Sequence, residues 1–433
     1  MSLVKTTVLS ALSVITRILT SVLLNKVVAV YVGPAGYGVI GQFQNLVGIV
    51  ATLASGGVNT GVTRYTAEFS AHADRQRSLW RTASGLGLIG AGAGAVVLVL
   101  ARKPLARWAL GNADYADVPV WLAASLVFLV MNGLMLAILT GRKSVRSLVF
   151  ANIAGSLVSA AVAAALVSTR GLHGALVAIA TSQAIACGVT LMVFRSGRTL
   201  AVRDLFGHME PAMVKRLGAY ALMALTSALA TPMAQLFIRD QLAVDLGWSG
   251  AGLWQALWKM SELHLMLLTA TLAVYLLPRF AEIQNGDELV REMRAGYRFV
   301  MPLSLVTCAA IYLLRTPLVQ GLLTAEFLPL VGVLGVQLIG DWLKINSWVM
   351  AYTMVSHSMT RIFILTEIVF ALMLAFTTVL MARRFGLLGT AAAYALTYAV
   401  YWLAMAAVCR SLVMRLRLRP DDAPTQTPDR IHS

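Results

Sequence analysis

The sequence predicts an all-α integral membrane protein of about twelve transmembrane helices, and three observations lead there. The 433 residues are 58% hydrophobic and only 12% charged, with a mean hydropathy of +0.76, whereas soluble chains carry about 25% charged residues. Apolar runs recur at the roughly 20-residue length that crosses a bilayer, without the alternation of a half-buried strand. The remaining charge is lopsided, 35 Lys and Arg against 19 Asp and Glu, a net +16, and it concentrates on alternate loops. A soluble enzyme is thereby excluded. A nucleic-acid partner is excluded too, because such binding needs a polar basic face that this chain cannot build.

Taken in order, the apolar runs fall near 8–32, 39–63, 79–101, 118–140, 147–169 and 172–194, then 217–238, 249–277, 299–315, 330–356, 362–382 and 387–409. The first is too long for a signal-peptide core, holds Arg17 and Lys26, and lacks a small-residue cleavage site, so it reads as a retained helix. In the third, Gly85, Gly87 and Gly90 spell GxGxxG, but within an apolar helix the pattern is a packing face, not a dinucleotide loop. The polar stretch 195–216 divides the chain into an N-lobe (1–194) and a C-lobe (217–415), six helices each, as in transporters built from repeats. Residues 279–298 read as a solvated linker, and 416–433 as a disordered polar tail. Cys187, Cys308 and Cys409 lie apart with no CxxC and read as packing residues; no metal and no cofactor is expected.

Lys and Arg show a nearly threefold excess on the loops that share a side with the N-terminus, which places both termini in the cytoplasm. The opposite loops hold Arg102, Lys103, Arg107, Arg170, Arg239, Arg315, Arg383 and Arg384. Four basic residues are left inside spans: Arg17, Lys26, Lys259 and Lys344, with Glu262, Asp341 and Glu367 as the intramembrane acids. A charge at the bilayer centre costs about 2.5–3.5 kcal/mol on the insertion scale, so each should face the bundle interior or a cavity.

In the first half no acid lies within a span, so Arg17 has no partner there. Thr6, Ser10, Ser13, Arg17, Thr20 and Ser21 fall within about 60° on a helical wheel, a polar stripe centred on a guanidinium. Span two offers Asn45, Thr52, Asn59 and Thr63 in the same way, and span seven Tyr220, Ser227, Thr231 and Gln235. In the second half the charges come as i,i+3 pairs, Lys259–Glu262 with Gln255 alongside and Asp341–Lys344 with Gln337. Neighbours at that spacing can neutralise each other, so Glu262 and Asp341 read as members of structural ion pairs or as ion-coupling residues, while Glu367 in span eleven has no partner on its helix and reads as a proton carrier. A guanidinium flanked by hydroxyl and amide side chains suits an anion that also carries hydroxyls, such as a lipid-linked sugar pyrophosphate.

The motifs carry a resemblance. Asn25-Lys26 leads into Gly33-Pro34-Ala35-Gly36-Tyr37-Gly38; then come Gly57-Val58-Asn59-Thr60-Gly61-Val62-Thr63-Arg64-Tyr65, Trp254-Gln255, Val274-Tyr275-Leu276-Leu277-Pro278 and Gln337-Leu338-Ile339-Gly340-Asp341-Trp342-Leu343-Lys344. In this order the chain, to about residue 415, resembles the polysaccharide-lipid flippases of the multidrug/oligosaccharidyl-lipid/polysaccharide exporter superfamily, those of O-antigen and enterobacterial common antigen among them. The resemblance implies two six-helix lobes around a central cavity in a bacterial inner membrane. It also implies alternating-access export of an undecaprenyl-pyrophosphate-linked oligosaccharide, an O-antigen or lipid III-like unit, rather than catalysis. Membrane lipids would surround it, with a glycan polymerase and chain-length machinery as further partners. It sets Lys26, Asn59, Arg64, Asp341 and Lys344 at family-typical positions. Lys259 departs from the pattern, which has a small neutral residue there. Lys26, Asn59, Arg64, Lys259 and Lys344, together with Arg17, Asn45, Gln235 and Gln255, are the substrate-binding candidates. Two other readings compete: an integral-membrane glycan polymerase or ligase, which would need a larger outer loop, and a cation-exporting antiporter of the same superfamily, which would need an unpaired acid.

Overall fold

The structure, a computed structural model, describes residues 3–196, 202–283, 285–357 and 359–418. Helices account for nearly all of them: α1 (Leu3–Ser55), α2 (Asn59–Glu68), α3 (Ala73–Leu100), α4 (Arg102–Leu110), α5 (Val118–Gly141), α6 (Val145–Ser196), α7 (Pro211–Glu282), α8 (Gly286–Leu313), α9 (Arg315–Leu322), α10 (Leu330–Ser356) and α11 (Thr360–Arg417). Six stretches of the described residues are long and apolar enough to cross a membrane.

Four helices are far longer than a bilayer requires, and each folds back on itself at a glycine with positive φ: Gly33 in α1, Gly171 in α6, Gly247 in α7 and Gly386 in α11. Contacts pair residues on either side of each bend. Ser159 Oγ donates to Ser182 O at 3.1 Å across Gly171, and the Thr377 and Thr397 hydroxyls meet at 3.2 Å across Gly386. A second glycine follows three residues after each bend, at Gly36, Gly174, Gly250 and Gly389. A Cβ on Gly174 would lie 1.9 Å from Leu166 O, and one on Gly389 2.0 Å from Met381 O, so the reversals exclude a side chain. The bends recur 214 and 215 residues apart, from Gly33 to Gly247 and from Gly171 to Gly386. Short helices α4 and α9 recur likewise, each between a long helix and a 3₁₀ turn. Counting each arm, the twelve apolar runs reappear as twelve long helical arms among the described residues.

The core explains how the arms assemble. Near the Gly33 and Gly247 bends, one apolar cluster joins residues from both halves, among them Tyr37, Phe43, Leu257, Phe327 and Leu338. Towards the end that carries Arg417 the cores separate. Val58, Trp80, Ile138 and Leu217 pack in one, and Leu265, Phe280, Val349 and Val413 in another. The halves therefore touch at one end and part at the other. Their joint is backbone against backbone, because a Cβ on Gly252 would sit 1.6 Å from Pro34 O.

Three sequence expectations change here. Residues 279–298 are not a solvated linker. α7 runs to Glu282, Asn285 Oδ1 accepts from the Asp287 and Glu288 amides at 2.8 and 3.4 Å, and α8 starts at Gly286. Arg279 clasps this turn through Glu292 (3.0 Å), Glu288 (3.3 Å) and Glu282 (3.7 Å), and Arg417 reaches Asp287 at 2.5 Å. These carboxylates hold the Arg279 guanidinium above its ordinary pKa, the Glu292 hydrogen bond foremost. Second, span two does not run unbroken from 39 to 63: α1 stops at Ser55, Gly56 and Gly57 take positive φ, and α2 restarts at Asn59. Third, Arg239 is not in an outer loop but inside α7, fully buried. The GxGxxG glycines do pack: a Cβ on Gly90 would lie 2.2 Å from Ala54 O, and one on Gly87 2.6 Å from Val130 Cγ1. The tail beyond Leu418 and the side chains of Thr6, Ser10, Tyr220 and Ser227 lie outside the described residues.

Candidate functional site

Both arms of α7, α10 and α11 enclose a cavity of about 330 Å³. Gln235, Glu262, Lys344 and Glu367 line it together with Trp258, Trp348, Tyr398 and Thr366, so it unites four residues that are far apart in the chain. Lys344 sits in an aromatic cage. Its Nζ lies 4.8 Å from the ring centroid of Tyr398, 5.2 Å from Trp258, 5.4 Å from Trp348 and 5.5 Å from Tyr394. Ring faces attract a cation by about 0.5–2 kcal/mol each, most where water is excluded. The cage thus favours an ammonium in this half-buried position; Glu262 and Glu367 share the cavity wall, but no carboxylate among the described residues forms an ion pair with it.

The expected Asp341–Lys344 pair does not form. Although three residues apart, the two side chains are turned to different neighbours. Asp341 is buried, accepts from the Tyr394 hydroxyl at 2.9 Å and faces His264 Nδ1 at 3.5 Å. His264 Nε2 lies 3.0 Å from Thr307 Oγ1, and Gln337 Nε2 donates to Ser261 Oγ at 2.9 Å nearby. Sequence reasoning missed His264. Its only signal is that Leu257, Ser261 and His264 share the face of α7 that packs on α10. The other i,i+3 pair does form, Lys259 Nζ to Glu262 Oε2 at 2.9 Å, and it leaves Glu262 on the cavity wall.

In the first half, the Arg17 guanidinium is exposed and stands 3.8 Å from Met266 Sδ of α7. It makes no ion pair among the described residues, consistent with the absence of acids from the spans of its half. Asn45 Nδ2 donates to Gln235 Oε1 at 2.9 Å, which brings spans two and seven together. Lys26, expected at the cavity, is engaged elsewhere: Nζ donates to Gln320 O at 2.8 Å and to Leu323 O, the carbonyl end of α9. It serves there as a C-terminal cap, which a cation stabilises. The Asn45–Thr63 stripe is interrupted by the Gly56–Gly57 break, and Thr52 and Thr63 bond their own backbone, to Gly48 O and Asn59 O. Asn59 opens α2 against Gly133, and Arg64 lies exposed on the same short helix.

Arg239 joins the halves where they touch. Nη1 donates to Gln42 Oε1 at 2.9 Å and Nη2 to Gln255 Oε1 at 2.5 Å, with the guanidinium 5.3 Å from the Trp254 ring. Gln255 is thus a latch residue in this state: it is not on the wall of the Lys344 cavity and lines instead a small pocket with Asn25, Gln44 and Lys259. Chemically, the cavity presents one caged cation, two carboxylates, amides and hydroxyls, and flat aromatic walls. That combination can hold an anion beside sugar rings, whose hydroxyls pair with Gln, Thr and Glu side chains.

Residues 27–332 match the family described as polysaccharide biosynthesis protein. The chain is 30% identical over 406 residues to the lipid III flippase of Escherichia coli (strain K12), covering 93% of this chain and 97% of that one, and equally so to that of Shigella flexneri. The inward-facing structure of a multidrug resistance MATE family transporter of the MOP superfamily has the same fold, with a TM-score of 0.79, 17% identity, and coverage of 93% and 95%.

Proposed function

The chain belongs to the polysaccharide biosynthesis protein family, and on that premise we propose that it is a flippase for an undecaprenyl-pyrophosphate-linked oligosaccharide. Its twelve arms cross a bacterial inner membrane, with both termini cytoplasmic. Residues 1–194 and 217–415 form two lobes, and the space between them opens on the cytoplasmic side. The glycan pyrophosphate enters that space while the polyprenyl tail stays in the bilayer. Arg17 and Lys344 supply the positive charge, and Gln235, Glu262, Glu367 and the aromatic walls hold sugar hydroxyls and rings. Release to the periplasm follows when the joined end, tied by Arg239, Gln42 and Gln255, comes apart and the cytoplasmic end closes.

The observation that carries this reading is the Lys344 cage, a cation held in a cavity by ring faces and in no ion pair among the described residues. The test is purified protein in liposomes that hold a fluorescent undecaprenyl-pyrophosphate-linked oligosaccharide, with an impermeant quencher outside. Time-dependent loss of protected fluorescence, abolished by Arg17→Ala at unchanged protein level, is the expected result. Protected fluorescence that persists would overturn the assignment. A second reading, export of an organic cation, draws on Glu262, Glu367 and the aromatic walls. Lys344 already fills the position such a cation would take. Cation efflux without glycan flipping in the same liposomes would favour it.

A further inference from the structure

The buried cluster beside the cavity has a hydrogen-bond deficit that identifies its missing ligand. Thr307 has one hydroxyl proton, and Oγ1 donates it to Ser304 O at 3.0 Å. Its oxygen therefore accepts from His264 Nε2, 3.0 Å away, which fixes neutral His264 as the Nε2–H tautomer. Nδ1 is then a bare lone pair, and it points at Asp341 Oδ2, 3.5 Å away. Both atoms are buried without a hydrogen-bond partner. Two acceptors thus face each other in the interior, where an unpartnered polar atom is costly. One proton between them removes both deficits at once and takes the pair from a net charge of −1 to zero.

We infer that Asp341 and His264 form a one-proton binding site within the helical bundle. The proton comes from a hydronium ion of the aqueous phase, adds to the Nδ1 lone pair or to Oδ2 and is shared across the gap, so one N–H or O–H bond forms while one hydronium O–H bond breaks and water is released. Tyr394 reports the state of the site to the cavity. Its hydroxyl donates to Asp341 Oδ1 at 2.9 Å, and its ring is one wall of the Lys344 cage. Neutralising Asp341 weakens this charge-assisted bond and frees the cage wall to move. Other titratable or charged groups stand on the helices packed around the pair: Lys259 and Glu262 on the same arm of α7, Cys308 on α8, which feels the Asp341 charge, Lys344 on α10, and Glu367 and Tyr398 on α11. The inference concerns the proton alone and does not depend on which cargo the cavity takes.

The test is nitrogen-15 NMR of histidine-labelled, full-length protein in lipid nanodiscs between about pH 5 and pH 9, the range in which imidazoles exchange protons. The His264 signal is identified by its loss in His264→Gln. A bare Nδ1 at high pH that gains a proton at low pH is expected. Asp341→Asn should move the midpoint by at least ~1 pH unit, a tenfold change in proton affinity. Tyr394→Phe keeps the ring and the fold, removes the donor to Oδ1, and should move it as well. A His264 signal that does not titrate in the unmodified protein would overturn the inference, as would a midpoint unmoved in both variants. So would a midpoint that follows replacement of potassium by sodium at constant ionic strength, because the ligand would then be a metal cation.

Discussion

Replacing Gln255 by leucine keeps the shape of a buried side chain and removes one acceptor from Arg239. The bond lost, Nη2 to Oε1 at 2.5 Å, is charge-assisted, and such bonds contribute about 1.5–3 kcal/mol. Nε of the same guanidinium is already buried without a partner, so the variant leaves two donors unmet and only Gln42 accepting. When the two halves part at this end, water reaches the guanidinium, so the loss falls on the joined form alone. At 1.4 kcal/mol per factor of ten, the population should move roughly 10- to 150-fold towards the parted form. Ala29 is buried in the apolar cluster that both halves share at this joint, and the three native cysteines are buried too. An Ala29→Cys reporter therefore reads the opening on a low background. The rate of labelling by an impermeant maleimide in nanodiscs should rise at least ~10-fold when Gln255→Leu is added. An unchanged rate in monodisperse protein would show that the Arg239 latch contributes nothing to closure.

Lys26→Met should lower stability by about 0.3–1 kcal/mol, the contribution of a cation at a helix C-terminus, and leave flipping in liposomes near its original rate; a complete loss of flipping in folded protein would return Lys26 to the cargo site. Lys344→Gln should reduce flipping at least ~10-fold through loss of one charge-assisted contact of about 1.5–3 kcal/mol, with the amount of protein in the membrane unchanged. Gly252→Ala places a Cβ where Pro34 O already lies 1.6 Å away, so the joined form should be excluded and the Ala29→Cys reporter should label as fast as in an unfolded control.

Much of the fold is legible in the sequence because a bilayer is a strict solvent. Every crossing must satisfy its backbone internally over a fixed thickness, so apolar run length alone marks the arms. The turns were harder. The Gly-x-x-Gly reversals at Gly33, Gly171, Gly247 and Gly386 are written in the chain, yet among 34 glycines only a positive φ inside an otherwise continuous helix singles them out. The polar run 279–298 looked like a linker because its charges suggest solvent, whereas Arg279 and Arg417 use those acids to clamp a two-helix turn.

For the site, sequence reasoning found the right kinds of residue more readily than their partners. Gln235, Glu262, Lys344 and Glu367 stand out as polar groups in apolar runs, and they line one cavity. Spacing cannot say where each points. Asp341 and Lys344 are neighbours on α10, but each answers to the helix it packs against, Asp341 to His264 and Tyr394, Lys344 to four aromatic rings.

By itself, then, the sequence determined that this is a helical membrane protein, how many long helices it makes, and which polar residues are worth burying, because those follow from transfer free energies read one residue at a time. Only the tertiary structure decided that Lys26 caps a helix, that Arg239 ties the two halves together, and that Asp341 faces a histidine. A buried polar group takes its partner from whichever helix lies across from it, and that choice is made by packing between segments as much as 297 residues apart.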